Sequence, residues 1–343
     1  MLRSLYSGIS GMRVNQTKLD VIGNNLANVS TTAFKGSRVN FSTTISQTLG
    51  SASAASDSLG GVNGKQIGLG AQISSIDKIM SQGSMQSTSR SLDVAVDGSG
   101  YFMVATGPAL TGGNTDAITI KDNGVENMPA NNSVAYTRDG SFVLDNEGNL
   151  LTSKGYRVLG FAMKTKDTKN NNNEDNIRAD GTVLYVESNN DTVSVDNQLV
   201  SLKIPDKVTK IDKAGKETQV AVKSFNISSD GLITGVLETG EITALGQIAM
   251  SSFKNEVGLT EVGNNMYEPS GSSGAAIISS GKNSANRNSS GYGDILQGYL
   301  EMSGVDMAEQ FTDMIVATKA FQAAGKTITT GDEILSEIIN LKR

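Results

Sequence analysis

The chain contains no histidine, no cysteine and no tryptophan, only 4 prolines, and just 5% aromatic residues. Each absence removes chemistry. Without His or Cys there is no Ser-His-Asp or Cys-His nucleophile system, and the usual zinc, haem and iron–sulfur ligand sets are missing. Without Cys there is no disulfide framework and no thiol redox chemistry. Carboxylate chemistry, oxygen-ligated calcium or magnesium, and lysine chemistry survive this filter. No run of about 18 apolar residues occurs, so no transmembrane helix is expected. The opening Met1-Leu2-Arg3-Ser4-Leu5-Tyr6-Ser7-Gly8 lacks an apolar h-region. That predicts no cleavable secretory signal and, on this ground alone, a cytoplasmic protein.

What is present is polar and small. Of 343 residues, 38 are glycine, 37% are hydrophobic and 19% are charged, with a net charge of −6. Gly, Ser, Thr and Asn make up the balance. This differs from charge-driven disorder and suits strands and turns around a modest core. The length is a prior for about two domains. An acidic pI near 4.9 argues against a nucleic-acid-binding surface.

The two ends read differently from the middle. Positions alternating by three and four hold Leu2, Leu5, Ile9, Met12, Gln16, Leu19, Gly23 and Leu26. A longer seam of the same kind holds Met307, Phe311, Met314, Thr318, Phe321, Gly325, Ile328, Asp332, Leu335 and Ile339. Both are coiled-coil-type stripes. The exceptions Thr318, Gly325 and Asp332 share one heptad position. Neither helix can bury its stripe alone. One solution is an antiparallel pair joining the chain ends, with surface left for other copies. The other is two amphipathic helices packed on their own globular domain. Their position at the extreme termini, where packing onto a core is weakest, favours the pair. Gly23 and Gly325 each weaken their helix by about 1 kcal/mol relative to Ala. Close approach of a neighbouring backbone would offset that.

Between the ends, 31–78 is Ser/Thr/Gly/Ala-rich, with 47–61 nearly featureless, and reads as an extended connector. Strand signals sharpen at Leu92-Asp93-Val94-Ala95-Val96-Asp97 and Tyr101-Phe102-Met103-Val104, around a Gly98-Ser99-Gly100 turn. Asp139-Gly140 and Asn146-Glu147-Gly148-Asn149 are hairpin signals within 136–161. At 164–222 the composition shifts to an Asn run and alternating lysines and acids, which reads as an inserted, surface-facing β module. Strands resume over about 223–269, and 270–302 looks like the return connector. The expected fold is mainly β with terminal α-helices. An antiparallel helix pair from 1–30 and 303–343 forms a coiled-coil-like layer. A discontinuous core β domain spans 79–163 and 223–269, and 164–222 is a small inserted outer β module.

Three motifs that carry chemistry elsewhere do not carry it here. Gly325-Lys326-Thr327 resembles the end of a phosphate loop, but position 320 is Ala and the triplet lies inside a helical seam. Gly98-Ser99-Gly100 lacks the third glycine of a dinucleotide fingerprint, since position 103 is Met, and reads as a hairpin turn. Asp145-Asn146-Glu147-Gly148-Asn149 lacks the spacing and distal Glu of a calcium loop, so a turn is preferred. No carboxylate pair stands among sugar-stacking aromatics. No catalytic, cofactor-binding or metal-binding residue is assigned.

The run Asn24-Asn25-Leu26-Ala27-Asn28-Val29-Ser30-Thr31-Thr32-Ala33-Phe34-Lys35 is more specific. It resembles the N-terminal signature shared by the flagellar rod and hook proteins of bacteria. The signature positions are Asn24, Asn25, Leu26, Ala27, Asn28, Thr32, Phe34 and Lys35. That family usually has Gly where this chain has Ala33, and Gly permits a positive φ that Ala adopts only at a cost. Ser303-Gly304-Val305-Asp306-Met307-Ala308-Glu309-Gln310-Phe311 resembles the family's entry to its last helix. The stretches 92–104, 136–161 and 246–269 resemble its core β domain.

The resemblance implies an uncleaved subunit that leaves through the flagellar type III export apparatus and polymerises into a tube outside the cell. It reverses the cytoplasmic inference. The length of 164–222 favours the hook within that family, as a flexible tube transmitting torque from motor to filament. The distal rod is the alternative, and a secreted β-rich adhesin or a carboxylate-dependent enzyme is less favoured. The implied partners are copies of the chain itself, the distal rod protein, and the hook cap and hook–filament junction proteins. Neither nucleic acid nor membrane insertion is implied. The seam residues Leu2, Leu5, Ile9, Met12, Leu19, Leu26, Met307, Phe311, Met314, Phe321, Ile328, Leu335 and Ile339 are the expected assembly residues.

Overall fold

The computed structural model describes residues 2–54, 60–110, 118–121, 124–127, 129, 132–165, 176–178, 181–188, 193–211, 216–279 and 292–341. Contacts divide the chain into two compact units, 1–81 with 303–343 and 82–302. The architecture is mainly β with one long helix near each end.

The first unit is built on α1 (Leu2–Ala27) and α2 (Met307–Leu341). They pack side by side. Lys18 reaches Asp313 at 3.2 Å, and a Cβ on Gly331 would stand 2.9 Å from Leu5 Cδ2. Low numbers in one helix therefore meet high numbers in the other, so the pair is antiparallel. Asp306 starts α2. Its Oδ1 accepts hydrogen bonds from the backbone N–H of Ala308 (2.8 Å) and Glu309 (3.3 Å). This satisfies two of the donors that a helix start leaves free. Among the described residues, no helix is long and apolar enough to cross a membrane.

The stretch expected to be a featureless connector is paired backbone. β1 (Ser37–Thr43) runs antiparallel to β4 (Ala71–Lys78). β2 (Ser46–Gly50) pairs in the same sense with β3 (Lys65–Gly68), and Ser53 bridges Val62 beyond them. Together they make a two-stranded ribbon. Composition hid it because Gly, Ser and Ala dominate, yet Phe41 sits opposite Ile73 and Val39 opposite Ile76. Such cross-strand pairs hold the register of a ribbon. The inner end of the ribbon rests on α1, which packs against both β1 and β4.

The second unit contains a 16-stranded network whose ladders are antiparallel. Its spine runs Lys207–Ile211, Glu217–Ile227, Leu232–Leu237, Ile242–Ile248, Arg157–Thr165, Tyr101–Thr106, Ser133–Thr137, Met266–Glu268 and Thr260–Gly263. One apolar cluster joins Phe102, Phe142 and Val158 to Ile177, Val183, Val200, Leu202 and Val208. Residues between 164 and 222 thus share the core and the ladders of the rest of the unit. No break marks an inserted module at those boundaries among the described residues. The Asn run at 170–173 lies outside them.

Two turns differ from expectation. Val94–Asp97 and Tyr101–Thr106 flank Gly98-Ser99-Gly100 but do not pair with each other. The first pairs with Asp294–Gln297, and the second with Ser133–Thr137 and parts of Arg157–Thr165 and Met250–Ser252. Asp139-Gly140 likewise joins strands that pair elsewhere. There a Cβ would lie 1.7 Å from the Val94 carbonyl oxygen. Glycine is needed at position 140 for close passage of two backbones, not for a hairpin. By contrast, Phe142–Leu144 and Leu150–Thr152 do form the hairpin that Asn146-Glu147-Gly148-Asn149 signalled. The return stretch 270–302 also carries strands, with Tyr299–Glu301 paired to Met85–Ser87.

Inside this unit Arg138 and Glu301 are both buried, with Nε to Oε2 at 3.2 Å. Glu301 Oε1 accepts the Gly83 N–H at 2.8 Å. The Arg138 guanidinium donates to the Gly98 carbonyl and lies 5.7 Å from the Tyr101 ring centre. Tyr101 packs edge-on against Phe253 and Tyr267. Burial drives the phenols of Tyr101 and Tyr267 well above their ordinary value, and pushes Tyr136 up to about 12.

Candidate self-assembly surface

The signature residues are the anchor of the first unit. Asn25 is 2% exposed. Its Nδ2 donates to the Ser37 carbonyl (2.8 Å) and to Gln310 Oε1 (3.1 Å), while its Oδ1 accepts the Ser37 N–H (2.9 Å). One side chain therefore imitates a strand neighbour for β1 and ties α1 to α2. Asn28 Nδ2 donates to the carbonyl and Oδ1 of Asn24 (3.0 and 2.9 Å), and its own Oδ1 accepts the Thr31 hydroxyl (3.2 Å). These bonds close the end of α1, where carbonyls lack helical partners. Ala27 is the last helical residue, Leu26 and Thr32 are half-buried, and Asn24 is exposed.

Ala33 has φ +55°, the left-handed region, and is 1% exposed. The departure from Gly noted in the sequence thus falls on a position where Ala is strained. Phe34 and Lys35 follow, both buried. Lys35 Nζ donates to the Ser81 carbonyl at 2.8 Å. Lys78 Nζ lies 5.6 Å from the Phe34 ring centre. The Gly304 N–H donates to the Phe34 carbonyl at 3.2 Å, next to the start of α2. The signature does its work within the chain, as a clamp holding α1, the ribbon and the α2 entry.

The seam between the helices is shifted from the expected one. The row Met314, Ile328 and Leu335 is half-buried. The other contacting row is Gln310, Ala317, Ala324 and Gly331, one residue before the expected row. Ala317 and Gly331 are the buried residues of α2. The physical reason is size. A Cβ on Gly8 would meet Thr327 Oγ1 at 2.8 Å, Ile328 Cγ1 at 3.1 Å and the Ala324 carbonyl oxygen at 3.3 Å. The backbones approach where both carry small residues. Close approach therefore occurs at Gly8. Gly23 has nothing within 4 Å, and Gly325 meets only Met12 Sδ at 3.8 Å. The signal was present in the spacing of Ala317, Ala324 and Gly331. A count of large apolar residues passes over it.

Much of the expected seam stays uncovered within one chain. Leu5, Met12, Leu19 and Leu26 are half-buried, while Ile9, Met307, Phe311, Phe321 and Ile339 are exposed. The side chain of Leu2 lies outside the described residues. Ile315, Val316, Ile334, Ile338 and Leu341 add to the uncovered surface, with Leu341 86% exposed. A single subunit leaves large apolar side chains in water toward both ends of α2. That is the surface of a protein completed by other chains.

A chain with paired terminal helices, a clamped turn and an uncovered apolar helix face belongs to the class of assembling subunits. Comparison with known proteins narrows the class. Residues 5–35 match the family described as flagella basal body rod protein. Residues 125–235 match flagellar hook protein FlgE/F/G D1 domain. Residues 296–341 match flagellar basal body rod FlgEFG protein C-terminal. Flagellar basal-body rod protein FlgG of Bacillus subtilis is 41% identical over 344 residues, covering 100% of both chains. Flagellar hook protein FlgE of Borreliella burgdorferi is 31% identical over an alignment of 447 residues, also covering 100% of both. The FlgG of that organism is 31% identical over 345 residues and again covers 100% of both. The chain belongs to the flagellar rod and hook protein family. The expectation that the length of 164–222 favours the hook does not hold for these relatives. A rod protein matches it end to end, whereas the hook alignment runs far beyond its 343 residues.

Proposed function

We propose that the chain is a structural subunit of the distal flagellar rod, polymerising through its terminal helices into a straight tube. The observation that supports rod over hook is the end-to-end match to a rod relative without the extra length of the hook protein. The continuous core of the second unit agrees with it, because 164–222 then needs no separate role as a hook insertion. Subunits that use two different surfaces for self-contact form open helical assemblies. The uncovered face of α2 and the side of α1 turned away from it are two such surfaces. Burying apolar area there contributes about 25 cal/mol per Å². The assembly residues are those of the two seams, with Ile315, Val316, Ile334 and Ile338 added. The working contacts are between copies, and the function requires no reactive group. Export through the flagellar type III apparatus and contact with neighbouring axial proteins belong to the same reading.

Electron microscopy of the purified chain at high concentration tests it. Straight tubes are expected. Bent tubes would transfer the chain to the hook. Absence of any polymer, with the chain monomeric by sedimentation, would sink the assembly reading itself.

A further inference from the structure

The two terminal helices differ in length, 26 residues against 35. Gly8 lies against Ile328, and Leu5 against Gly331. Continuing that register brings Leu2 level with about residue 334, so roughly the last seven residues of α2, about 10 Å of helix, project past the start of α1. This overhang is amphipathic and uncovered. Ile338 is 50% exposed and Leu341 86%. Its one acid is Glu337.

A groove of about 370 Å³ lies between α1 and β4, away from the α1–α2 contact. Tyr6, Ile9, Val14, Ala71 and Ile73 line it, and Arg13 stands at it. Tyr6 is 69% exposed. The first half of α1 carries Arg3 and Arg13 and no acid. An apolar groove with Arg13 at its edge and an apolar helix end bearing Glu337 are complementary surfaces. They cannot meet within one chain. Ile9 lies level with about residue 327 of α2, so Ile338 is about 16 Å further along the axis.

We infer that the overhanging end of α2 docks into the α1–β4 groove of a second copy of this chain. Ile338 and Leu341 fill the groove, and Glu337 faces Arg13. The contact is head-to-tail, with different surfaces on the two partners, and therefore propagates. The inference rests on the assembly reading above and names which surfaces meet.

The absence of native cysteine gives a clean test. The full-length double variant Ile9→Cys/Ile338→Cys is brought to polymer-forming concentration and mildly oxidised. A ladder of disulfide-linked multimers is expected. Mixing the two single variants should give cross-linked dimers that neither gives alone. A bond within one chain is excluded by the separation, since bridged Cα atoms lie within about 7 Å. A charge exchange covers the chance that the cysteines disturb folding. Arg13→Glu or Glu337→Lys alone should raise the polymerisation threshold about fivefold, the scale of one exposed ion pair. The two together should restore it. Lys342 and Arg343 follow the overhang, so the exchange is placed at Glu337. Polymer without cross-links, or without rescue, overturns this docking and leaves the assembly reading standing. Failure of the unaltered chain to polymerise overturns both.

Discussion

Gly8→Ala and Gly23→Ala are the same chemical change on one helix, and the structure assigns them opposite signs. In a helix interior Ala is favoured over Gly by about 1 kcal/mol. At Gly23 the new methyl meets nothing within 4 Å, so the full gain is expected. At Gly8 it would stand 2.8 Å from Thr327 Oγ1 and 3.3 Å from the Ala324 carbonyl oxygen. The hydroxyl has little freedom to yield, because it donates to that same carbonyl at 2.7 Å. The backbone oxygen moves only if the helices separate. Overpacking of this kind costs about 1–3 kcal/mol, giving a net loss of up to about 2 kcal/mol. The difference between the variants cancels the propensity term and isolates the cost of separating the helices. Amide hydrogen exchange on the full chain reads local opening directly. Exchange in α1 should slow about fivefold in Gly23→Ala and speed up by as much as about thirtyfold in Gly8→Ala. Equal protection in the two variants would refute the close approach at Gly8 and with it the shifted seam.

Glu301→Ala leaves Arg138 buried without its carboxylate. It should destabilise the second unit by about 3–5 kcal/mol, and a urea-midpoint change equivalent to less than 1 kcal/mol would contradict the pair's role. Ala33→Gly relieves a left-handed φ at the signature turn and should stabilise the chain by up to about 1 kcal/mol, since the strain of about 1–2 kcal/mol exceeds the added chain entropy; a loss of stability by thermal melting would show that the strain is absent. The second unit should weaken in alkali. Burial raises Tyr136 to about 12 from 10.0, so the unfolded state loses the proton first. The stability linked to the neutral phenol is full below pH 10 and is lost as pH rises through 12, totalling about 2–3 kcal/mol. Phenolate absorbance at pH 10 that is lower in Tyr136→Phe than in the unaltered chain, with both still folded, would contradict it.

The fold class was legible because it rests on periods. Stripes alternating by three and four mark helices, and bounded runs of Val, Tyr, Phe and Leu mark strands. The partners of those elements were less legible. Gly98-Ser99-Gly100 and Asp139-Gly140 have hairpin composition, but strands are chosen by long-range burial, and Val94–Asp97 finds its neighbour at Asp294–Gln297. The ribbon at 37–78 was hidden for a related reason. Its outer strands, Ser46–Gly50 and Lys65–Gly68, are exposed almost throughout, so no alternation marks them. Of the candidate site, the signature residues were found by resemblance, but their hydrogen bonds are set by the fold. Asn25 reaches Ser37 and Gln310, residues that no local pattern connects to it.

The shifted seam gives the long apolar stripe of α2 a purpose that a simple helix pair would not. If the large residues faced α1, folding of one chain would bury them and leave little to drive association. Instead one of the two rows that meet α1 is made of small residues, Ala317, Ala324 and Gly331, whose size fixes the spacing and register of the helices. Phe311, Ile315, Val316 and Ile338 remain in water. The small residues of the contact supply geometry, and the large residues left outside it supply burial. The signature clamp at Asn25 and Lys35 serves the first task, because an apolar face can guide assembly only if the helix carrying it is held still. In the proposed assembly, the free energy of burial is thereby withheld from the monomer and released when copies meet.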